Sequence, residues 1–265
     1  MREYDIIVVG AGYAGIGFSL GRQDVLVLEK NEMPGSDYHS VLRPANGVIS
    51  ASDDLCNDFL DFLKINGIVK DNKIDILRSG IALCKYIDEY CVKPDIILDA
   101  QIIRVIQEEK GFKVEYRTNE GIHTAYAEKV IDTTFLFDSA PDCVEVETRY
   151  LHTVLSNIPD GYRQKLISVN KNISFTDGFY ENECYACFSF SADTPLFKAR
   201  AEIENCVLKA FDGKQRIIDA VGFEYDDVAR QVTENAVLWV PPHSFDNPIR
   251  AFDYGCKMRK NYEIL

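Results

Sequence analysis

Positive charge is scarce in this chain of 265 residues: 29 lysines and arginines stand against 42 aspartates and glutamates, a formal net charge of −13. A field of that sign repels phosphate backbones and anionic lipid surfaces, which counts against nucleic-acid and membrane partners and favours a small molecule. Long apolar runs are lacking as well. The longest, such as Ile6 to Val9, are strand length and far short of the roughly 20 residues that span a bilayer. No charged-then-apolar leader precedes the first strand signal at Tyr4 and Asp5, so a cytoplasmic setting is expected. Only four histidines occur, and no second cysteine or histidine pair lies at ligand spacing, so no metal site is expected. The eight cysteines are scattered through apolar periodic segments and read as reduced, mostly buried thiols.

With 46% hydrophobic and 27% charged residues, the composition is that of a globular protein with a sizeable core. The run YDIIVV at 4–9 has the continuous apolar character of a parallel strand buried on both faces. A glycine-rich turn, a helical segment from Ile16 to Leu20 and a second apolar run, Val25 to Leu28, complete a βαβ unit. A long loop over Asn31 to Ser52 follows, then a helix capped by Asp53 or Asp54 with Leu55, Phe59, Phe62 and Leu63 inward. A second helix is expected over about Lys73 to Val92, burying Ile76, Leu77, Ile81, Leu83 and Ile87. From Asp95 the period is that of strands: Gln101–Gln107, Phe112–Arg117 and Ile122–Ala127 form an antiparallel meander, and Lys129–Asp132 returns to the parallel sheet.

Beyond Phe137, strands are expected at Val144–Val154, Lys165–Val169, Cys184–Ser191 and Ile217–Glu224. A helix over Thr194–Phe211 should turn Phe197, Ala201, Ile203, Val207 and Leu208 inward, and another starts at Pro248. The fold class is thus α/β: a Rossmann-like domain with an inserted β-meander at 1–137 and a smaller, mainly β subdomain with one covering helix at 138–236. A C-terminal segment at 237–265 returns to the first domain.

Gly10, Gly12 and Gly15 stand at G-x-G-x-x-G spacing, between a buried strand and a helix. Their places suit a tight turn, close approach of backbone to a diphosphate, and close helix-to-strand packing. Glu29 ends the next strand 19 residues after the first glycine, where a carboxylate can accept hydrogen bonds from both ribose hydroxyls of an adenosine. It would repel a 2′-phosphate. FAD and NAD remain as candidates, NADP does not.

The segments YDIIVVGAGYAGIGFSL, VLVLEK and SDDLCNDFLDFLKINGI, the meander and the returning strand Val130-Ile131-Asp132-Thr133-Thr134 together resemble FAD-dependent oxidoreductases of the glutathione-reductase structural type. The resemblance is motif-specific over the first 30 residues. It implies that Gly10, Ala11, Gly12, Tyr13, Ala14 and Gly15 bind the FAD diphosphate and that Glu29, with Lys30 beside it, serves the adenosine ribose. It further implies that Ile102 and Ile103 lie by the adenine and that Arg43 lies near the phosphates or flavin. The sequence departs from the family at four points: a first helix about one turn short, Pro34-Gly35-Ser36 in place of paired glycines, Thr133-Thr134-Phe135 ending the returning strand, and no glycine-aspartate segment for the ribityl chain. Asp246-Asn247-Pro248, a cap and first-turn proline, is the candidate substitute for that segment.

His39 in the long loop and His243 near the last helix are the candidate proton donors or acceptors. Tyr38 and Trp239 could stack on a flavin ring. Cys184 and Cys187 have C-x-x-C spacing, but in a strand positions three apart point to opposite faces, so they read as unrelated thiols. The function expected is FAD-dependent oxidation or reduction of a small organic substrate. A nucleotide-binding descendant without turnover and an NAD-dependent dehydrogenase are the alternatives.

Overall fold

The computed structural model describes residues 3–211, 215–229 and 237–262; the expected boundary at 236 lies outside them. In chain order the elements begin with β1 (Glu3–Val9), α1 (Tyr13–Ser19), β2 (Val25–Leu28), α2 (Ser36–His39), α3 (Asp54–Ile65), β3 (Val69–Lys70), β4 (Lys73–Ile74) and α4 (Ile76–Glu89). Next come β5 (Asp95–Ile97), β6 (Gln101–Glu108), β7 (Gly111–Thr118), β8 (Gly121–Asp132), β9 (Val144–Ser156), α5 (Tyr162–Val169), β10 (Ile173–Asp177) and β11 (Glu183–Ser191). The chain closes with α6 (Leu196–Ala210), β12 (Arg216–Asp219), β13 (Glu224–Ala229), β14 (Leu238–Trp239) and α7 (Pro248–Tyr262). No helix among the described residues is long and apolar enough to cross a membrane.

The first sheet runs β5-β2-β1-β8-β7-β6, with β14 beside β8. β1 lies parallel between β2 and β8, which buries Ile6, Ile7, Val8 and Val9 on both faces and explains their uninterrupted apolar run. The two segments expected at 122–127 and 129–132 form one strand. Residues 121–127 of β8 pair antiparallel with β7 and residues 126–132 pair parallel with β1, because no glycine or proline interrupts the run. The second sheet runs β10-β11-β9-β12, with β13 also on β9. The long β9 is therefore its spine.

Three expectations are corrected here. Residues 165–169 belong to the helix α5, not a strand: only Leu166 is buried, facing α6, while the edge of the sheet is taken by β10. The expected strand 217–224 breaks into β12 and β13, because Ala220 bonds to His152 O and the Val221 N–H turns to Ser40 O at 2.7 Å in the first domain. The buried stripe of α6 is Ala199, Ile203, Cys206 and Val207, leaving Phe197 70% and Leu208 56% exposed. Both stripes have helical spacing and share Ile203 and Val207; the buried one takes the smaller Ala199 and Cys206 in place of Phe197 and Leu208. The same choice operates in α4, where Ser79, Gly80 and Leu83 face inward against Tyr13 and His39 while Ile81 is 66% exposed.

Helix α7 returns across α1 and α3 and closes the first domain. Phe252 stacks on Phe59 at 4.7 Å between ring centroids, and Asp253 accepts the backbone N–H groups of Ser52 and Asp53 at 2.8 Å. At the crossing the backbones touch: a Cβ on Gly255 would stand 2.1 Å from Ala14 O, which is backbone and cannot swing aside. Gly255→Ala should therefore destabilise the chain by about 1–3 kcal/mol as overpacking does. The midpoint of thermal unfolding should fall by several degrees, at about 2–4 °C per kcal/mol for a chain of this size.

Candidate functional site

β1 delivers the chain into a turn that only glycine can make: Gly10 has φ +93°, and a Cβ on Gly15 would stand 2.4 Å from Gly10 O. Thr133, at the end of β8, donates its hydroxyl to Gly10 O at 2.9 Å and locks the turn from the other side. Glu29 joins the turn to the end of β2. Its Oε2 accepts the Ala11 N–H at 2.6 Å, and its Oε1 accepts the Asn31 N–H at 2.9 Å together with the Asn31 side chain. Burial raises the pKa of this carboxyl, and the amides of Asn31 and Ala11 oppose the rise.

Asp37 lies in no motif or periodic pattern, and only the fold brings it to the turn. Placed on α2 by the turn at Gly35, its Oδ2 accepts the Tyr13 N–H at 3.2 Å and would be 2.7 Å from a Cβ on Gly12. Its Oδ1 has no hydrogen-bond partner and the residue is buried. Burial pushes its carboxyl up to about 7, the Tyr13 amide opposes that, and the charge of Glu29 adds to it. A third buried carboxyl, Asp132, accepts from the backbone and hydroxyl groups of both Thr134 and Ser139. Burial raises it to about 6 even so.

Glu29 and Asp37, with Thr133 and Thr134 in front of Asp132, line one side of a cavity of about 240 Å³. Gly10, Gly12, Glu29, Lys30 and Asp37 form its polar wall; Phe135, Leu136, Val221, Phe223, Tyr225 and Pro242 form the apolar one. It lies at the carboxyl ends of β1 and β2, the crevice where open α/β sheets bind ligands. The break between β12 and β13 supplies the opposite wall, so the strand interruption at 220–223 is what brings the second sheet to the site.

Behind that wall a buried ionic chain joins the loop after α2 to the second sheet. Arg43 Nε lies 2.8 Å from Glu224 Oε1, and Glu224 Oε2 lies 2.6 Å from His152 Nε2. Arg43 also donates to Pro242 O at 2.7 Å and covers the Tyr38 ring. Burial opposes the charged imidazolium, but Cys187, facing His152 across the β9–β11 pair, and Glu224 together raise its pKa to about 9.

The structure thus brings Gly10, Gly12, Glu29 and Lys30 to the cavity, Lys30 pairing with Asp138 at 2.8 Å, while Ala11, Tyr13, Ala14 and Gly15 complete the turn and the buried start of α1 and do not line it. It does not bring the others to the cavity. Arg43 is turned into the ionic chain. Ile102 and Ile103 lie on β6, where Ile103 is 46% exposed, and neither lines the cavity. His39 is wedged against Gly80 of α4, where burial lowers its pKa, and His243 packs on Trp239; neither lines the cavity. Tyr38 is fully buried against Tyr13, and Trp239 stacks on Phe137 and donates to Thr134 O, so neither ring is open to stacking on a ligand. The start of α7 is closed by its own cap: Asn247 accepts the Arg250 N–H and donates to Asn46 O. All eight cysteines are free.

No protein-family description matches the sequence and no curated protein is significantly similar to it. Solved structures share its fold. A flavoprotein/dehydrogenase from Cytophaga hutchinsonii is 15% identical with a TM-score of 0.54, over 98% of this chain and 77% of that one. Aklavinone-11 hydroxylase, solved with FAD and aklavinone, is 13% identical with a TM-score of 0.57 over 99% of this chain. The present chain spans only 63% of that hydroxylase. A geranylgeranyl bacteriochlorophyll reductase-like protein from Thermoplasma acidophilum is 14% identical with a TM-score of 0.55, over 100% of this chain and 79% of that one. The architecture is therefore a Rossmann-like flavoprotein fold, shared with hydroxylases and reductase-like proteins, which is a broader class than the glutathione-reductase type.

Asp37 leaves a mark on stability. Its carboxyl is raised from 3.8 to about 7 on folding, so the folded chain holds this proton more tightly than the unfolded one, and the stability that gives is lost as pH rises from about 4 to about 7. Asp37→Asn should unfold at a temperature several degrees above the wild type at about pH 8, with the gap closing at about pH 4, at about 2–4 °C per kcal/mol. Calorimetry at the two pH values checks it.

Proposed function

We propose that this chain is an FAD-dependent oxidoreductase acting on a small organic substrate. The observation that carries this reading is the hydrogen bond from the Ala11 N–H to Glu29, which sets a carboxylate for a ribose beside a glycine turn for a diphosphate. The glycine turn opening α1 and the Glu29 carboxylate fit those two parts of an adenine dinucleotide, with the Gly10 and Ala11 amides themselves bonded to Leu28 O and Glu29; Asp37 is the one side chain among them that does not. The flavoprotein relatives support the same cofactor, as the hydroxylase was solved with FAD. Within this reading the N-terminal βαβ unit keeps its likeness to the glutathione-reductase type, and residues 1–137, 138–236 and 237–265 are the cofactor domain, substrate subdomain and returning segment of a cytoplasmic enzyme.

A bound flavin would supply acceptance and donation of hydride or electrons. The chain's own residues do the rest. Phe135, Leu136, Phe223 and Tyr225 offer a substrate an apolar surface and exclude water from it. The ionic chain from Arg43 to His152 holds the second sheet against the loop after α2, which steadies the two walls relative to each other.

A second reading, a nucleotide-binding descendant without turnover, is favoured by the closed start of α7, where Asn247 and the Asn46 carbonyl occupy one another. The two readings separate on one preparation. An enzyme should bind added FAD, and the bound flavin should be bleached by dithionite and recover its colour in air; bound flavin that does neither supports the second reading. Glu29→Ala should weaken FAD binding about tenfold or more, as loss of a charged hydrogen-bond acceptor does. A chain stabilised against heat by NAD and indifferent to FAD would replace both with an NAD-dependent dehydrogenase.

A further inference from the structure

The glycine turn and Asp37 make conflicting demands on the same space. Backbone approach to a diphosphate needs the outer side of Gly12 and the Tyr13 N–H clear, yet the Asp37 carboxylate occupies both: 2.7 Å from the Cβ position of Gly12, and 3.2 Å from Tyr13 N. The carboxylate is not there to satisfy itself. Its Oδ1 is buried and has no hydrogen-bond partner, and the residue belongs to the cavity wall. The charged and titratable groups around it are Glu29 from β2, Tyr13 from α1, Tyr38 from α2 and Arg43 from the loop that follows. Of these only Arg43 is cationic, and it is committed to Glu224.

We propose that Asp37 is an internal competitor for the cofactor's diphosphate, which can bind at the glycine turn only when this carboxyl is neutral or turned away from Gly12 and Tyr13. The inference rests on the FAD reading and adds to it a means by which the chain itself sets how tightly the cofactor is held. An anionic carboxylate and a dianionic diphosphate cannot share one amide in a buried site, whereas a protonated carboxyl can yield it or donate a hydrogen bond to a phosphate oxygen. Cofactor uptake is thereby tied to acidity. With the carboxyl raised to about 7, the competent fraction falls about tenfold for each pH unit above that value, and the apparent dissociation constant rises by the same factor.

The test uses the full chain, freed of nucleotide and titrated with FAD by quenching of flavin fluorescence between about pH 6 and about pH 9. The wild type should bind on the order of 100-fold more weakly at the upper end than at the lower. Asp37→Asn, which keeps the shape and removes the charge, and Asp37→Ala, which removes both, should bind with a nearly flat pH profile and with affinity close to the wild type's at low pH. Circular dichroism shows that each variant is folded, and the neutral isostere guards against a collapsed Ala variant. A wild type with a flat profile, or variants that keep its slope, overturns the competitor while leaving FAD binding standing. Failure of all three proteins to take up FAD at either pH overturns the cofactor reading and this inference with it.

Discussion

The first domain is organised around backbone contacts too close for a side chain. Gly15 packs on the carbonyl of Gly10, and Gly255 packs on the carbonyl of Ala14, so α1 is held between its own turn and α7 with nothing in between. These contacts set the depth at which α1 sits against the sheet. That depth in turn places the Ala11 and Tyr13 amides within reach of Glu29 and Asp37. The short first helix, seven residues long, is compatible with this because its grip comes from the crossing with α7 rather than from its own length.

A cavity walled by Glu29 and Asp37, with the buried Asp132 behind Thr134 and Ser139, concentrates carboxyl groups in the least hydrated part of the molecule. Each is tolerated through hydrogen-bond donors, and Asp37, with the fewest, is pushed further up than Asp132. Lys30, on the same wall, offsets the charge of Glu29, whereas Arg43, the cation nearest Asp37, is drawn off by Glu224 and by the carbonyl of Pro242. The same arginine thus ties the loop after α2 to the second sheet and gives Asp37 only a partial counter-charge. Stability of the domain contact and electrostatics of the site are linked through one guanidinium.

Much of this was legible in the chain. The βαβ unit, the three glycines, Glu29, the meander and the start of the last helix at Pro248 all follow from patterns that span fewer than 30 residues. Errors arose where two local patterns were equally good. The apolar stripe of α6 could be drawn through Phe197 and Leu208 or through Ala199 and Cys206, with Ile203 and Val207 common to both, and packing in the core selected the second. The segment 165–169 is apolar enough for a strand, yet β10 took the edge place and left it a helix over Leu166.

Sequence by itself determined which backbone could bend and approach: glycine at 10, 12 and 15, and a carboxylate at the end of β2. These depend on residue type and short spacing alone. Tertiary structure decided what stands in front of that turn. Asp37 reaches Tyr13 across 24 residues, Arg43 meets Glu224 across 181, and the interruption at 220–223 supplies the far wall of the cavity. Periodicity records which face of an element is buried, but not which distant group it is buried against, and the chemistry of this site is set by those distant partners.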